Sequence, residues 1–264
     1  MMPSAGDTAK RWLSSLVRAV APSVFWRRRA RIIQRQNRTR YDVALVASLS
    51  DPDRVSVDVG ASGGRLTMAM LPVSRSVVAF EPRPEQAREL TAMFSALGAA
   101  VQVEAVALSD HTGSATMRVV AGEPGRSTID ANNALTDLQD DIVTIAVPVK
   151  RLDDLQLEDI GLIKIDVEGH ELGVLRGAAN TIARNRPNIV VEAEERHHPG
   201  AVAAIVGLLG GLGYQGYFDH DGVRRPIEEL DPAQHQDPAN ADGPEDDWAS
   251  HSRYVNNFAF LPQG

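Results

Sequence analysis

From residue 55 onward, the chain alternates short runs of β-branched residues with stretches of helical periodicity. This alternation is typical of a parallel sheet whose strands are joined by crossover helices, and we therefore predict a doubly wound α/β fold. Strands are predicted at residues 55–59, 77–80, 101–106, 162–165, 188–192, 214–218 and 256–261. Helices are predicted at residues 64–71, 84–97, 169–184 and 201–212.

Two segments interrupt this alternation. Residues 111–148 contain two further predicted strands, 115–120 and 142–149, on either side of a polar stretch. Residues 221–252 are acidic, rich in Pro, Asp and His, and predicted to be irregular. Because functional loops are commonly carried on a rigid sheet, we interpret both segments as substrate-side insertions into one main domain of residues 46–264.

Charge is distributed unevenly along the chain, whose net charge is −8. Residues 1–40 contain ten basic residues and one acid, so this segment carries +9 and the remainder carries −17. We interpret residues 1–45 as a basic helical extension, either packed on its own domain, which is favoured, or lying on an anionic membrane surface. The acidic body does not favour a nucleic-acid partner. We expect a cytoplasmic protein that can associate with a membrane through this extension.

The first strand runs directly into a glycine-rich turn, residues 58–64 (DVGASGG). Glycines at a strand-to-helix turn let the backbone approach a ligand, and the next helix offers free N–H groups. The second strand ends in residues 80–82 (FEP), which places Glu81 21 residues after Gly60, where a carboxylate can accept hydrogen bonds from a ribose. Residues 107–110 (ALSD) follow the third strand and are predicted to border an adenine.

The spacing of the turn favours a sulfonium cofactor over a dinucleotide. Dinucleotide sites use G-x-G-x-x-G, whereas Ser62 stands two residues after Gly60 here. Asp58 would repel a pyrophosphate but can hold the ammonium of a methionine, so we predict S-adenosylmethionine; the alternative is that Asp58 is a capping residue and Glu81 a solvated strand end. The predicted cofactor-binding residues are Asp58, Gly60, Ala61, Ser62, Gly64, Glu81, Pro82, Ala107, Leu108 and Asp110.

Ionisable residues also follow the fourth and fifth predicted strands, in residues 164–171 (KIDVEGHE) and 192–198 (EAEERHH). Active sites in open α/β sheets lie outside the carboxyl ends of the strands. General acid–base use of these side chains is favoured over a divalent metal site, and the acids can alternatively serve only the helix dipole. A general base is predicted among Asp166, Glu168, Glu192 and His197, and either Lys164 or His170 is predicted to orient a hydroxyl.

These motifs, with IKIDVEGHELGVLRGA and the ending YVNNFAFLP, resemble the FkbM family of class I methyltransferases. The resemblance implies a Rossmann-like sheet of seven strands whose last strand is antiparallel. It also implies S-adenosylmethionine-dependent O-methylation of a hydroxyl on a sugar, a glycolipid or glycan, or a polyketide-like small molecule.

The alternative is an RNA or protein methyltransferase, which the basic extension favours. The missing Asn-Pro-Pro-aromatic turn argues against base methylation, and the low aromatic content of 5% argues against RNA. A third interpretation, a non-catalytic binding module of this fold, is disfavoured because Asp58, Gly60, Glu81 and Asp166 are all present.

Overall fold

The structure is a computed structural model that describes residues 17–120, 125, 127–131, 133, 135, 142–240 and 254–264. The first part of the basic extension, residues 1–16, lies outside the described residues, as do parts of both predicted insertions. The fold of the described residues is set by one large sheet and one small sheet.

The large sheet has eight strands among the described residues, in the order β10-β9-β11-β8-β7-β1-β2-β3. Neighbours from β3 to β8 are parallel, whereas β11 is antiparallel to both β8 and β9. The predicted doubly wound α/β fold with an antiparallel last strand is therefore confirmed. The strands are β1 Val55–Val59, β2 Ser76–Phe80, β3 Val101–Glu104, β7 Ile160–Ile165, β8 Asn188–Glu192, β9 Tyr214–His220, β10 Val223–Pro226 and β11 Asn257–Pro262.

The eighth strand, β10, corrects the predicted count of seven strands and the prediction that its segment is irregular. It pairs antiparallel with β9 through a two-residue turn at Asp221 and Gly222, both of which have positive φ, at 51° and 73°. Asp-Gly is a preferred pair for such a hairpin turn because both central residues must adopt this conformation. The sequence therefore contained a signal for the hairpin within residues 221–252.

Helices cover both faces of the large sheet. They are α1 Pro22–Gln36, α2 Tyr41–Leu49, α3 Arg65–Met70, α4 Pro84–Leu97, α5 Glu171–Arg176, α6 Ala179–Asn185, α7 Ala201–Gly211 and α8 Pro232–His235, with short 3-10 turns at Asn37–Thr39, Leu71–Val73, Leu152–Leu155, Ile227–Glu229 and Pro238–Asn240. The single helix predicted over residues 169–184 is wrong, because α5 and α6 are separate. The break falls at Gly177, where a Cβ would lie 1.9 Å from the carbonyl oxygen of Ser109.

The small sheet combines a short strand that precedes the first insertion with two strands of the insertion, in the order β4-β6-β5. Its strands are β4 Ala107–Leu108, β5 Gly113–Val120 and β6 Ile142–Lys150. The third strand of the large sheet therefore ends earlier than predicted, and Ala107 and Leu108 form a short strand rather than a loop. This arrangement brings the insertion over the carboxyl ends of β1, β2 and β7.

The described part of the N-terminal extension packs on the main domain. Trp26, Ala30 and Ile33 recur at helical spacing on α1 and are buried in a cluster with Met93 and Phe94 of α4. No helix among the described residues is both long enough and apolar enough to cross a bilayer. Contact of the extension with an anionic surface stays a prediction.

Candidate functional site

The glycine-rich turn is held tightly between two strands. The backbone N–H groups of Gly60 and Ala61 both donate to the carbonyl oxygen of Phe80, at 3.0 and 2.9 Å. Gly60 has φ of +87°, and a Cβ there would lie 1.8 Å from the carbonyl oxygen of Asp166. The turn therefore needs glycine for its conformation and for its close approach to the end of β7.

Two cavities open at the carboxyl ends of the strands, one on each side of this turn. We call the first the slot; its lining includes Glu81, Pro82, Ala107, Leu108, Met117, Thr128 and His170. We call the second, of about 550 Å³, the chamber; its lining includes Arg29, Gln36, Arg40, Asp58, Ala61 and Arg65. The two cavities share Gly60, Ser62, Gly125, Asp166 and Glu168. A ligand that passes the glycine turn would therefore contact both.

The carboxylate of Glu81 is buried in the slot wall and fixed by hydrogen bonds to both oxygens. Its Oε2 accepts from the backbone N–H of Ser62 at 2.9 Å, and its Oε1 accepts from the backbone N–H of Arg83 at 2.9 Å. The Arg83 guanidinium also donates to both oxygens, at 2.7 and 2.9 Å. These bonds orient the carboxylate as an acceptor for neutral hydroxyl donors.

Asp58 lies on the chamber wall and is fully buried. Burial raises the pKa of its carboxyl, although the hydroxyl of Thr67, which donates to Oδ2 at 2.5 Å, and the charges of Lys164 and Arg65 oppose the rise. The structure thus places Asp58 beside the turn, where it was predicted to meet the amino-acid end of a cofactor.

Two of the other predicted cofactor residues line neither cavity. Gly64 packs against the side chain of Leu90, where a Cβ would lie 2.7 Å from that side chain. Asp110 is exposed and its carboxylate contacts Ser109 and His111 instead, at 3.2 and 2.9 Å. The remaining predicted cofactor residues line one cavity or both.

Asp166 and Glu168 stand where the slot and the chamber meet. Burial raises the pKa of Asp166 well above its usual range, and the charge of Glu192 adds to this shift. Burial also raises the pKa of Glu168, to about 9, with further contributions from Asp166 and Glu192. Because several carboxylates lie close together in a largely desolvated position, the site retains protons at neutral pH.

Glu171 belongs to the same motif, but its role is structural. Burial raises its pKa to about 7, and its carboxylate accepts the backbone N–H of Gly169 at 2.8 Å. It lines neither cavity and supports the turn that leads into α5.

Three of the other predicted catalytic residues form a layer behind Asp166 and Glu168 and line neither cavity: Lys164, Glu192 and His197. His197 Nδ1 lies 3.6 Å from Glu168 Oε2. Lys164 is fully buried, donates to Oδ1 of Asn257 at 2.9 Å and lies 3.6 Å from Oε2 of Glu192. This placement favours a supporting role over contact with a substrate.

His170 does line the slot, and its imidazole lies between Ser109 and Asp130. Its Nε2 lies 2.8 Å from the hydroxyl oxygen of Ser109, and its Nδ1 lies 4.0 Å from Oδ2 of Asp130. Burial lowers the pKa of His170 more than the charge of Asp130 raises it, so the imidazole is neutral at neutral pH.

The first insertion contributes residues that the sequence motifs did not identify. The guanidinium of Arg118 donates to the carbonyl oxygens of Asp130 and Asn133, and Nδ2 of Asn133 donates to the carbonyl oxygen of Glu168 at 2.8 Å. Asp130 Oδ2 also lies 3.8 Å from Nδ1 of His198. These contacts attach the insertion to the residues that follow β7 and β8. The partners are far apart in the sequence, so only the fold brings them together.

Two further contributors were visible in the sequence without an assigned role. Arg83 stands two residues after Glu81, inside the FEP-containing turn. Asn256 and Asn257 belong to the YVNN ending, and Asn256 Nδ2 donates to Oε1 of Glu192 at 2.8 Å. Among the residues that the structure describes, no group of three or more His, Asp or Glu side chains is placed to hold a metal ion.

Comparisons with known proteins identify related sequences. The family model described as the methyltransferase FkbM domain matches residues 58–229. A curated protein named Methyltransferase 1, from Beauveria bassiana (strain ARSEF 2860), is 30% identical over 180 residues, which are 58% of this chain and 68% of that protein.

Solved structures of similar fold include methyltransferase FkbM from Methylobacillus flagellatus KT, with a TM-score of 0.49 and 17% identity; the match covers 80% of this chain and 44% of that one. A putative methyltransferase from Streptococcus mutans, solved in complex with SAH, matches with a TM-score of 0.43 and 8% identity, over 84% of this chain and 96% of that one.

Proposed function

The chain belongs to the FkbM methyltransferase family, and from this premise we propose that it transfers the methyl group of S-adenosylmethionine to a hydroxyl. The acceptor in this proposal is a sugar, a glycolipid or glycan, or a polyketide-like small molecule. The observation that carries the proposal is the meeting of slot and chamber at Gly60, with an oriented carboxylate, Glu81, in one and proton-retaining carboxylates at their junction.

The slot has the chemistry that a nucleoside requires. Leu108, Met117 and Ile129 give it apolar walls for a base, and Glu81 can accept hydrogen bonds from ribose hydroxyls. The methionine end of the cofactor would pass Gly60 into the chamber, where Asp58 and Ser62 lie. The residues present therefore fit S-adenosylmethionine.

When bound, the cofactor supplies a methyl group on a positively charged sulfur. The protein must align an acceptor hydroxyl with that methyl group and remove the hydroxyl proton as the new bond forms. We assign the proton transfer to Glu168 because it lines both cavities, and because a carboxylate with a pKa of about 9 is a strong base once ionised. His197 and Asn133 hold Glu168 in place from behind.

An RNA or protein acceptor receives less support from this geometry, since it depends on the basic extension. Two of the extension's arginines are used within the domain: Arg18 pairs with Glu89 at 2.7 Å, and Arg27 donates to the carbonyl oxygen of Ala96 at 3.0 Å. Arg29 and Arg40 line the chamber. Fewer positive charges of the extension therefore remain to contact the phosphates of a nucleic acid.

The cofactor assignment is tested by calorimetric titration with S-adenosylhomocysteine, NAD and ATP. We expect wild-type protein to bind only S-adenosylhomocysteine and Glu81→Ala to bind it roughly tenfold or more weakly, because a charge-assisted hydrogen bond is lost. Glu158→Ala is the matched control, since Glu158 is exposed before β7, at the opposite end from the site. Binding of NAD alone, or of none of the three by folded protein, would contradict the proposal.

The acceptor is tested separately with S-adenosylmethionine that carries a labelled methyl group. We expect label to enter hydroxylated glycans or polyketide-like compounds in a form stable to esterase. Label that enters only RNA or protein would replace the proposed acceptor class while leaving the cofactor assignment intact.

A further inference from the structure

The side of α1 that faces away from the domain carries arginines and apolar side chains together. Residues spaced by three, four, seven or eight positions share one face of a helix. Val24, Arg28, Arg31, Ile32 and Arg35 follow this spacing, and all five are exposed. We call these five residues the outer face.

The opposite side of α1 fixes the helix on the domain. Trp26, Ala30 and Ile33 are buried there in a cluster with Met93 and Phe94 of α4. Because this buried side sets the rotation of the helix, the apolar side chains of the outer face cannot turn inward without exposing a tryptophan. The outer face is therefore a fixed part of the protein surface.

Exposed apolar side chains are concentrated at this helix. Among the described residues, six large hydrophobic side chains are exposed, and four of them lie between residues 17 and 32. Val20, in the helical turn just before α1, is 77% exposed, and Val24 and Ile32 are 61% and 48% exposed. Single exposed hydrophobic residues are ordinary on a protein surface, but several close together mark a contact with a partner or a membrane.

The arginines of the outer face are not neutralised by the part of the chain that the structure describes. Residues 8–41 contain no acid. The guanidinium groups of Arg28, Arg31 and Arg35 make no ion pair or hydrogen bond with any described residue. Residues 41–264, in contrast, carry a net charge of −17. An anionic surface would therefore attract the outer face and repel the rest of the protein, which sets the orientation of approach.

Two other occupants fit this face less well. A second copy that paired symmetrically through the same face would bring like charges together. RNA recognition relies on exposed aromatic rings for stacking, whereas the two aromatic residues of α1, Phe25 and Trp26, pack against each other with ring centroids 4.8 Å apart. A bilayer surface offers both anionic headgroups and an apolar phase at the depth of one side chain.

We propose that the outer face, together with Val20, docks this protein on an anionic lipid bilayer. The arginine heads contact lipid phosphates while their aliphatic stems lie beside Val20, Val24 and Ile32 at the boundary of the acyl chains. The same helix lines the chamber through Arg29, so a lipid-linked acceptor would be held beside the candidate active site. The docking does not rest on the proposed function, because it requires neither cofactor nor acceptor.

Co-sedimentation with vesicles tests the docking. The vesicles contain either phosphatidylcholine alone or phosphatidylcholine mixed with phosphatidylglycerol, and each series is run at low and at high salt. The test variants are Val20→Ser/Val24→Ser and Arg28→Gln/Arg31→Gln. The matched controls are Val143→Ser/Val223→Ser, which changes two valines that are 57% and 53% exposed elsewhere, and Lys150→Gln/Arg176→Gln, which removes two exposed charges elsewhere. Thermal unfolding verifies that each variant is folded.

We expect wild-type protein and both controls to bind the mixed vesicles, to bind phosphatidylcholine much more weakly, and to dissociate as salt screens the charges. Arg28→Gln/Arg31→Gln should lose roughly tenfold or more in affinity for the mixed vesicles, because each arginine near an anionic surface contributes roughly fivefold. Val20→Ser/Val24→Ser should also bind roughly tenfold more weakly, but should keep the salt dependence of wild type.

Wild-type protein that does not sediment with the mixed vesicles, or test variants that bind as well as their controls, would overturn the docking. Salt-sensitive binding of RNA without vesicle binding would assign the arginines to a nucleic acid instead. An oligomer that Val20→Ser/Val24→Ser dissociates, with no change in vesicle binding, would assign the face to a second copy. Each of these results leaves binding of S-adenosylhomocysteine, and so the proposed function, to its own test.

Discussion

The carboxylate of Glu81 in the slot and those of Asp166 and Glu168, where the slot and the chamber meet, have opposite environments. Glu81 in the slot receives hydrogen bonds from two backbone N–H groups and from a guanidinium. Asp166 and Glu168 are crowded by Glu192, and burial and mutual repulsion raise their pKa values. All three side chains stand at strand ends of the same sheet, so the difference arises from their partners.

This contrast matches two different chemical tasks. A carboxylate that recognises neutral hydroxyls must keep a fixed orientation, which N–H donors provide. A carboxylate that takes up a proton during turnover needs a pKa near or above the pH of the solution, which burial among like charges provides. The fold therefore places recognition in the slot and proton transfer where the slot and the chamber meet.

The largest effect is expected at the glycine-rich turn, because it is the common wall of both cavities. Gly60→Ala introduces a Cβ 1.8 Å from the carbonyl oxygen of Asp166 at a φ of +87°. We expect it to destabilise the fold by about 3 kcal/mol or more and to abolish binding of S-adenosylhomocysteine. Gly98→Ala is the control, since Gly98 has φ of +63° but no atom within 4 Å of an added Cβ, and should cost about 1 kcal/mol. Equal losses in urea unfolding would show that backbone strain alone, and not the shared wall, explains the effect.

The next effect concerns the carboxylate of Glu168, where the slot and the chamber meet. Glu168→Gln removes the proposed base and should lower the methyl-transfer rate roughly 100-fold or more, with affinity for S-adenosylhomocysteine within about twofold of wild type. Because the pKa of Glu168 is about 9, the wild-type rate should increase with pH towards that value. Glu171→Gln changes a neighbouring buried carboxyl that lines neither cavity, so it should keep most of the rate.

Glu168→Gln should also change how the free energy of unfolding depends on pH. The pKa of Glu168 is raised from 4.5 to about 9 in the folded state, so the folded state binds this proton more tightly than the unfolded state does. Its contribution to stability is complete below pH 4.5 and is lost as the pH rises through about 9. Denaturant unfolding of Glu168→Gln should therefore depend less on pH across this window than that of wild type. Equal slopes would contradict the assignment of a retained proton to Glu168.

Much of the framework was predictable because it depends on local signals. The hydrophobic run of β1, the span of α4 between Pro84 and Gly98, and the run of β8 were predicted with the bounds that the structure shows. The residues at the ends of β1, β2 and β7 were predicted to share one edge because parallel strands present their carboxyl ends together. Hairpin β9–β10 also had a local signal, the Asp-Gly pair. The composition of residues 221–252 nevertheless led to the prediction of an irregular segment.

The remainder of the site could not be predicted from local pattern, because it depends on which side chains long-range contacts bring together. Arg83 turns back on Glu81, Asn133 reaches the carbonyl oxygen of Glu168 from the insertion, and Asn257 meets Lys164 from the last strand. The last two pairs are separated by 35 and 93 residues. No spacing rule relates such positions.

The smallest effect is expected at one hydrogen bond behind the slot wall, between the hydroxyl of Ser109 and Nε2 of His170. Ser109→Ala removes this bond, so we expect a loss of about 1 kcal/mol in unfolding, or roughly 2–4 °C in Tm. The imidazole signals of His170 should shift in NMR spectra, while binding of S-adenosylhomocysteine should change less than twofold. Ser114→Ala is the control, since its hydroxyl donates to the carbonyl oxygen of Val147 at 3.2 Å, far from His170 along the small sheet.

Ser109→Ala tests whether cofactor recognition and methyl transfer are independent of each other. If Ser109→Ala leaves cofactor affinity intact and lowers only the methyl-transfer rate, the bond orients His170 for the reaction and the slot recognises its ligand independently. If affinity falls together with the rate, cofactor recognition and methyl transfer are coupled through His170. The two tasks are then less separate than the different environments of Glu81 and Glu168 indicate. Unchanged His170 signals would show that Ser109 does not orient the imidazole, and Asp130, 4.0 Å from Nδ1, would then be the residue to vary.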